Sequence, residues 1–393
     1  MKLPFIPDSE FDGRVKALQK AMAKDGYDMI LCYGNEAEPQ YVRYFSDYWP
    51  SFETAGVLIP VEGEPLLLIG PESFTYASDR SKIEKIRMLK AFRESSEPEY
   101  PGKPLDTFRS VFDEALGGRK LQKIGVAGLP LMTVGVYEAL SEALSDCGKV
   151  ALKKADDLIA RLRMIKTENE LACMRAAAEI TRKTFFYVLD NICVGMTEQQ
   201  AVGLALGKMH ELGAERESYP LWVLTGEGSH QAISRPRNKE IRKGDMTFIQ
   251  IGARVAGYAS TIGRAVVFGK MTDEQRNLIK VGYDTQETVI GLLKSGVPAA
   301  EIARKHEAFV RSRGYGDWLL YGPFHGNGLM EGEAPWIETS SDYRLETNMT
   351  FCADIFLGSA EKKIGLRIED VVCVKENGAE NLTNFPREFW ELG

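Results

Sequence analysis

His325 is the natural starting point for chemistry, because the chain has only four histidines: His210, His230, His306 and His325. It opens the run His325-Gly-Asn-Gly, and glycines on both sides let the backbone pass close to a ligand. A histidine so placed can act as a general acid or base near neutral pH, or as a metal ligand. Two apolar segments supply partners. Met349-Thr-Phe-Cys-Ala-Asp354 ends a hydrophobic run on a carboxylate, and Gly365-Leu-Arg367-Ile-Glu369-Asp370-Val-Val carries charge into another. Buried carboxylates are costly unless paired, hydrogen-bonded or bound to an ion. Asp354 and Glu369 therefore form the candidate centre with His325. Arg264 and Arg367 are the cations that would hold these carboxylates, or an acid group of a substrate.

The remaining histidines carry less. His210 and His306 fall on charge-rich helical stretches and read as solvated. His230 contributes only if the segment 226–237 folds over the mouth of the site. The six cysteines (Cys32, Cys147, Cys173, Cys193, Cys352 and Cys373) are widely spaced and form no CxxC pair. They read as reduced, mostly buried thiols of a cytoplasmic protein. None sits beside a histidine in sequence, which argues against a thiol nucleophile.

Composition narrows the classes. The 393 residues are 44% apolar and 27% charged, which excludes disorder, collagen and coiled coil as the main architecture. A net charge of −7 without a basic stripe argues against a nucleic-acid partner. No run approaches the roughly 18 apolar residues of a membrane span. Residues 1–11 include Pro4, Asp8 and Glu10, which a signal peptide would not.

The elements that must position these residues follow from periodicity. Residues 11–25 have helical spacing, with Asp8 or Ser9 as the cap. Residues 29–33 read as a buried strand, and 55–60 and 65–70 as a hairpin around Val-Glu-Gly-Glu. Helices at 105–116 and 134–144 flank a strand at 123–127. This is an α/β domain. Charged helical sequence then takes over near residue 160. Long helices are expected at 168–191 and 197–212. Strands at 246–253 and 257–268 form a β-hairpin, helices follow at 272–291 and 298–314, and strands return at 349–357 and 367–375.

The order Gly244-Asp245, Gly257-Tyr258, Arg264, His325-Gly-x-Gly-Leu329, Asp354 and Arg367-x-Glu369-Asp370 resembles the pita-bread superfamily. That superfamily holds methionine aminopeptidase, aminopeptidase P, prolidase and creatinase. Arg163-Met-Ile-Lys166-Thr-x-x-Glu170 resembles the start of the catalytic domain in the aminopeptidase P and creatinase branch. The tail Gly378-Ala-Glu-Asn-Leu-Thr-Asn-Phe-Pro386 is similar to creatinase. The resemblance spans nearly the whole chain. It implies an α/β N-terminal domain (1–160) and an α+β pita-bread catalytic domain with an antiparallel sheet (161–393), assembled as a homodimer.

The resemblance also shows departures. The metallopeptidases hold two metals with Asp, Asp, His, Glu and Glu, and these positions fall on Gln250, Thr261, His325, Asp354 and Glu369. Gln and Thr bring no charge, so a two-metal centre should be lost. Ligand count favours no metal cofactor. The alternative is one divalent ion on His325, Asp354 and Glu369, since three protein ligands suffice for a catalytic zinc. Creatinase, the metal-free branch, is not copied either. Its histidine before the Gly-Asp turn falls near Ile233 or Ser234, its strand glutamate on Gly263, and a histidine of its last motif on Glu369. Trp49, Phe52 and Glu53 follow Tyr41-Val-Arg-Tyr44, in a region that reaches the neighbouring subunit's site in creatinase-like dimers, and are candidate lid residues.

The expectation is a creatinase-like hydrolase that cleaves a C–N bond in a small guanidino, amidine or amide compound. His325, Asp354 and Glu369 would activate water. Gln250, Thr261, His230, Tyr258, Arg264, Arg367, Trp49, Phe52 and Glu53 would surround the substrate. The alternatives are a one-metal Xaa-Pro aminopeptidase or prolidase-like peptidase, and a non-catalytic binding protein on a peptidase fold.

Overall fold

The computed structural model describes residues 3–94, 102 and 104–393. The chain divides into two compact units, Ile6–Arg163 and Met164–Gly393, the latter together with residues 3–5. The fold class is the expected one: a mixed α/β sheet unit followed by a curled, largely antiparallel sheet of the pita-bread type.

The first unit opens on a helix, Asp8–Asp25, that buries Phe11, Arg14, Val15, Leu18 and Met22. Pro7 holds its cap position without a side-chain cap bond, so neither Asp8 nor Ser9 caps it. Asp8 and Glu10 instead lie in the first turn, where the helix dipole favours them. Six strands follow: β1 (Met29–Gly34), β2 (Ala55–Pro60), β3 (Leu66–Ile69), β4 (Ile86–Met88), β5 (Lys123–Ala127) and β6 (Ala151–Lys154). They are ordered β4-β3-β2-β1-β5-β6. The β2–β3 hairpin is antiparallel as its turn sequence predicts, and β1, β5 and β6 run parallel. Helices Phe108–Leu116 and Val134–Asp146 pack Val111, Phe112, Leu140 and Leu144 into one core with Leu31, Leu58, Leu68 and Val126.

The second unit is built on β7 (Trp222–Thr225), β8 (Met246–Ile251), β9 (Arg254–Val255), β10 (Tyr258–Ala259), β11 (Ile262–Phe268), β12 (Phe324–Gly326), β13 (Glu333–Ile337), β14 (Thr350–Ser359), β15 (Ile364–Lys375), β16 (Gly378–Asn381) and β17 (Trp390–Leu392). The main path is β13-β12-β14-β15-β11-β8-β7, with β16 added to β15 and β17 to β11. The predicted β-hairpin is present as β8 and β11, and the small β9–β10 ladder occupies its tip. Helices Glu168–Asn191, Glu198–Glu211 and Asp273–Ile290 each begin at a threonine whose hydroxyl accepts from the residue three on, which answers in kind.

Strand alternation divides β14 and β15 by face. Phe351, Ile355, Leu366, Ile368 and Val372 belong to the core that takes in Leu278 and Ile302 of the helices. Their sequence neighbours Cys352, Asp354, Arg367 and Glu369 point the other way. One helix corrects the sequence reading. His306 is not solvated: it is 1% exposed on Ala299–Ser312, with neither ring nitrogen hydrogen-bonded. Ala299, Ile302, Ala303, His306 and Val310 form a buried stripe at helical spacing, so the helix phase decides against its charged neighbours. His210 is exposed. Among the described residues no helix is long and apolar enough to cross a membrane.

Candidate functional site

Strand register assembles the site. Trp222 pairs with Gln250, Gln250 with Gly263, Gly263 with Glu369 and Glu369 with Asp354, in one row across five strands. A parallel row pairs Trp336 with His325 and His325 with Cys352. Gly263 leaves room for the site, because a Cβ there would stand 3.0 Å from the Cβ of Glu369 and push it aside. Gly326 and Gly328 also answer a close approach, but to the chain itself. A Cβ at Gly326 would meet the Glu333 carbonyl at 2.5 Å, and one at Gly328 the Glu333 carboxylate at 2.5 Å. The glycines thus press the His325 turn against β13, not against a ligand.

His325 and Glu369 come together as expected. His325 Nε2 lies 3.7 Å from Glu369 Oε1 and 3.7 Å from Glu331 Oε1. His325 Nδ1 faces the Gly326 carbonyl at 3.1 Å. A carbonyl only accepts, so the neutral ring carries its proton on Nδ1 and offers Nε2 to the carboxylates. Gln250 and Thr261 both donate to Glu369 Oε2. Tyr219 adds a hydroxyl 3.0 Å from that of Thr261. Glu369 Oε1 is left buried without a hydrogen-bond partner.

Asp354 takes a different place. Its Oδ2 accepts from the Tyr321 hydroxyl at 2.7 Å, and its Oδ1 lies 3.4 Å from Arg367 Nε. Arg367 also donates to Gln250 Oε1 at 2.9 Å, to the Tyr321 oxygen at 2.6 Å and to the Ala232 carbonyl at 2.9 Å. Its guanidinium stands over the rings of Trp222, Tyr321 and Phe356. Burial opposes that charge, but Asp354, then Tyr321 and Glu369, outweigh it and raise the arginine further. Burial, then the charges of Asp354 and Glu331, push the Glu369 carboxyl well above the usual carboxylate range. Burial raises Glu331 as well.

Within the second unit, the other expected residues lie apart from this group. His230 turns its ring to the Glu227 carbonyl, and its segment reaches the site through the Ala232 carbonyl and the side chain of Ile233. Tyr258 donates to Glu170, the capping glutamate of helix Glu168–Asn191. Arg264 is fully buried and bonds Asp370 and the carbonyls of Phe385 and Pro386. These are supports. In the first unit, Glu53 is 3% exposed and accepts from the Glu72 and Ser73 amides. Its carboxylate is spent on that turn. Trp49 donates to the Glu36 carbonyl, while Phe52 is 85% exposed.

Sequence reading passed over Glu331, Cys352, Tyr321, Trp222 and Trp336. Glu331 and Cys352 join His325 and Glu369 in a group whose ligand atoms lie within 4.8 Å of one another. Asp354 is outside that group, contrary to the expected ligand set. His325 and Glu331 of this group line a cleft of about 390 Å³ walled by Trp222, Ile233, Tyr321, Phe324 and Trp336. The group's donor set of one imidazole, two carboxylates and one thiol fits a single divalent ion. The Gln250 carbonyl oxygen accepts from Arg367, which turns the amide N–H toward Glu369 and leaves no ligand atom there.

Residues 172–376 match the family model for metallopeptidase family M24, and residues 14–165 match the creatinase/prolidase N-terminal domain. The chain is 27% identical to an Xaa-Pro dipeptidase of Pyrococcus furiosus, over 95% of this chain and 99% of that one. It is 26% identical to the Xaa-Pro dipeptidase of Pyrococcus horikoshii, over 95% of this chain and 98% of that one. Among solved structures it is similar to an X-Pro aminopeptidase of Thermotoga maritima, with a TM-score of 0.83 at 25% identity, covering 96% of this chain and 99% of the other.

Proposed function

The chain belongs to metallopeptidase family M24, whose hydrolases act on C–N bonds of peptides, and from that premise we propose that it opens the C–N bond of a small dipeptide-like compound with no more than one divalent ion at its centre. Xaa-Pro dipeptides are the first class to test. The observation that carries this reading is the convergence of His325 Nε2 on the carboxylates of Glu331 and Glu369, 3.7 Å from each, with His325 and Glu331 lining an aromatic cleft.

The chain's own residues divide the work. Trp222, Tyr321 and Trp336 offer flat apolar walls that pack a ring and exclude water. Arg367 holds Asp354, Tyr321 and Gln250, and Gln250 with Thr261 fixes Glu369. Glu331 is the more exposed of the two carboxyls, at 17% against 0%. Its second oxygen, turned away from His325 Nε2, can take a proton from the attacking water and return it to the leaving nitrogen. An ion on His325, Glu331 and Glu369 would polarise the scissile carbonyl and acidify that water.

The test is a panel of Xaa-Pro dipeptides, their Xaa-Ala counterparts, and small guanidino, amidine and amide compounds, each with and without chelator. Turnover of Xaa-Pro that chelator removes and one equivalent of ion restores is the expected result. Chelator-insensitive turnover of a guanidino or amidine compound would overturn it in favour of the metal-free reading, which the neutral Gln250 and Thr261 support. Binding without turnover anywhere in the panel would leave a non-catalytic role.

A further inference from the structure

We infer that Cys352 is the fourth donor of a one-ion site formed with His325, Glu331 and Glu369, and that this site takes a thiophilic ion of the zinc type in preference to manganese. The inference rests on the reading of an ion at this centre and adds its ligand set and selectivity; with four protein donors, the attacking water would enter as a fifth ligand. Tetrahedral zinc, with bonds of about 2.0–2.3 Å, needs donors about 3.3–3.8 Å apart. His325 Nε2 stands 3.7 Å from Glu331 Oε1 and 3.7 Å from Glu369 Oε1, and Cys352 Sγ stands 3.8 Å from Glu331 Oε1. These are three of the six edges of such a site, and all four donor atoms lie within 4.8 Å of one another.

A second observation points into the same space. Glu369 is fully buried, its Oε2 is taken by Gln250 and Thr261, and its Oε1 has no hydrogen-bond partner. Asp354, the other carboxylate of the row, is turned to Tyr321 and Arg367. The remaining donor is therefore sulfur. The antiparallel pairing of His325 with Cys352 places it there by register, and the His325 Nδ1 bond to the Gly326 carbonyl holds the ring. A thiolate among the ligands favours zinc, whereas oxygen-only sites suit manganese or magnesium. Coordination displaces the thiol proton to solvent.

Cobalt(II) is the probe. The full chain is stripped by chelator and titrated with cobalt, followed by absorbance, then challenged with zinc or manganese. One equivalent of cobalt with a near-ultraviolet sulfur-to-cobalt charge-transfer band is expected, displaced by zinc and not by equimolar manganese. Cys352→Ala should abolish the band and weaken zinc binding roughly tenfold or more. Cys352→Ser, the closer isostere, should also lack the band, with circular dichroism confirming that both variants fold. One bound cobalt with no band, or a band unchanged in Cys352→Ala, overturns this ligand set while leaving an ion-dependent hydrolase standing. No bound ion overturns the inference outright, and the dipeptide panel then decides the function by itself.

Discussion

On one face of β15, Asp370 meets Arg264; on the other, Arg367 and Glu369 meet Asp354, Glu331 and His325. Arg264 donates to both Asp370 oxygens and to the carbonyls of Gly263, Glu369, Phe385 and Pro386, and Thr383 adds a hydroxyl to Asp370. Nothing there asks for a further partner. Across the strand, Glu369 Oε1 has no hydrogen-bond partner, and Asp354 Oδ1 and Arg367 Nε meet only each other, as an ion pair at 3.4 Å. A buried polar network that is complete serves to hold the fold, and one left open a residue away marks where something from outside completes it.

That contrast can be broken from either side. Glu369→Gln keeps the shape and both donors to it but removes the charge. Turnover should fall on the order of 10²–10⁴-fold. The denaturation midpoint should hold or rise, because burial, Asp354 and Glu331 already disfavour a charge at this position and an amide carries none; a midpoint that collapses would make Glu369 scaffold. Asp370→Ala should do the reverse. It strands the Arg264 charge and should cost about 3–5 kcal/mol in chemical denaturation, with turnover per folded molecule largely kept.

His306 sharpens the comparison through pH. Burial lowers its pKa from 6.5 to about 4, against a pull from Asp354 that would raise it. The unfolded chain therefore binds a proton in the window between about 6.5 and 4 that the folded chain refuses. Stability from the neutral ring is complete above 6.5 and drains as pH falls through that window, by about 3 kcal/mol in all. His306→Leu should lose less stability than the parent between pH 7 and pH 4.5; identical slopes would show that His306 has another partner. The smallest effect is expected at Gly263. Gly263→Ala should cost about 1–3 kcal/mol from overpacking, and lower turnover by displacing Glu369, whose Cβ is 3.0 Å from the new carbon.

Much of this was legible in the chain. His325, Asp354, Arg367 and Glu369 stood out because charge inside apolar runs is costly enough to need a reason. The long helices were readable from their periodicity, while the one cap read from the sequence, Asp8 or Ser9, was not the cap. Glu331 was not, since a glutamate in Met330-Glu-Gly-Glu333 looks like a solvated turn, and only the fold of that turn under β13 brings it to His325. Cys352 carried one weak signal, its two-residue spacing from Asp354 on a strand, which puts both on one face. Its pairing with His325 depends on register between segments 27 residues apart, which composition and spacing do not encode. Asp354 was misplaced for a related reason. Its partner Tyr321 lies in a loop, where no periodicity announces a hydroxyl.

The ten consecutive pairs between β14 and β15 have a consequence for how this protein recovers from unfolding. Side chains alternate along a strand, so a hairpin zipped one residue out of step would turn Glu369 and Arg367 toward the helices and put Ile368 and Asp370 in the cleft. Such a molecule would be silent, not sluggish. Recovered turnover after dilution from denaturant thus counts correctly zipped molecules, with kcat per active molecule constant while their number climbs.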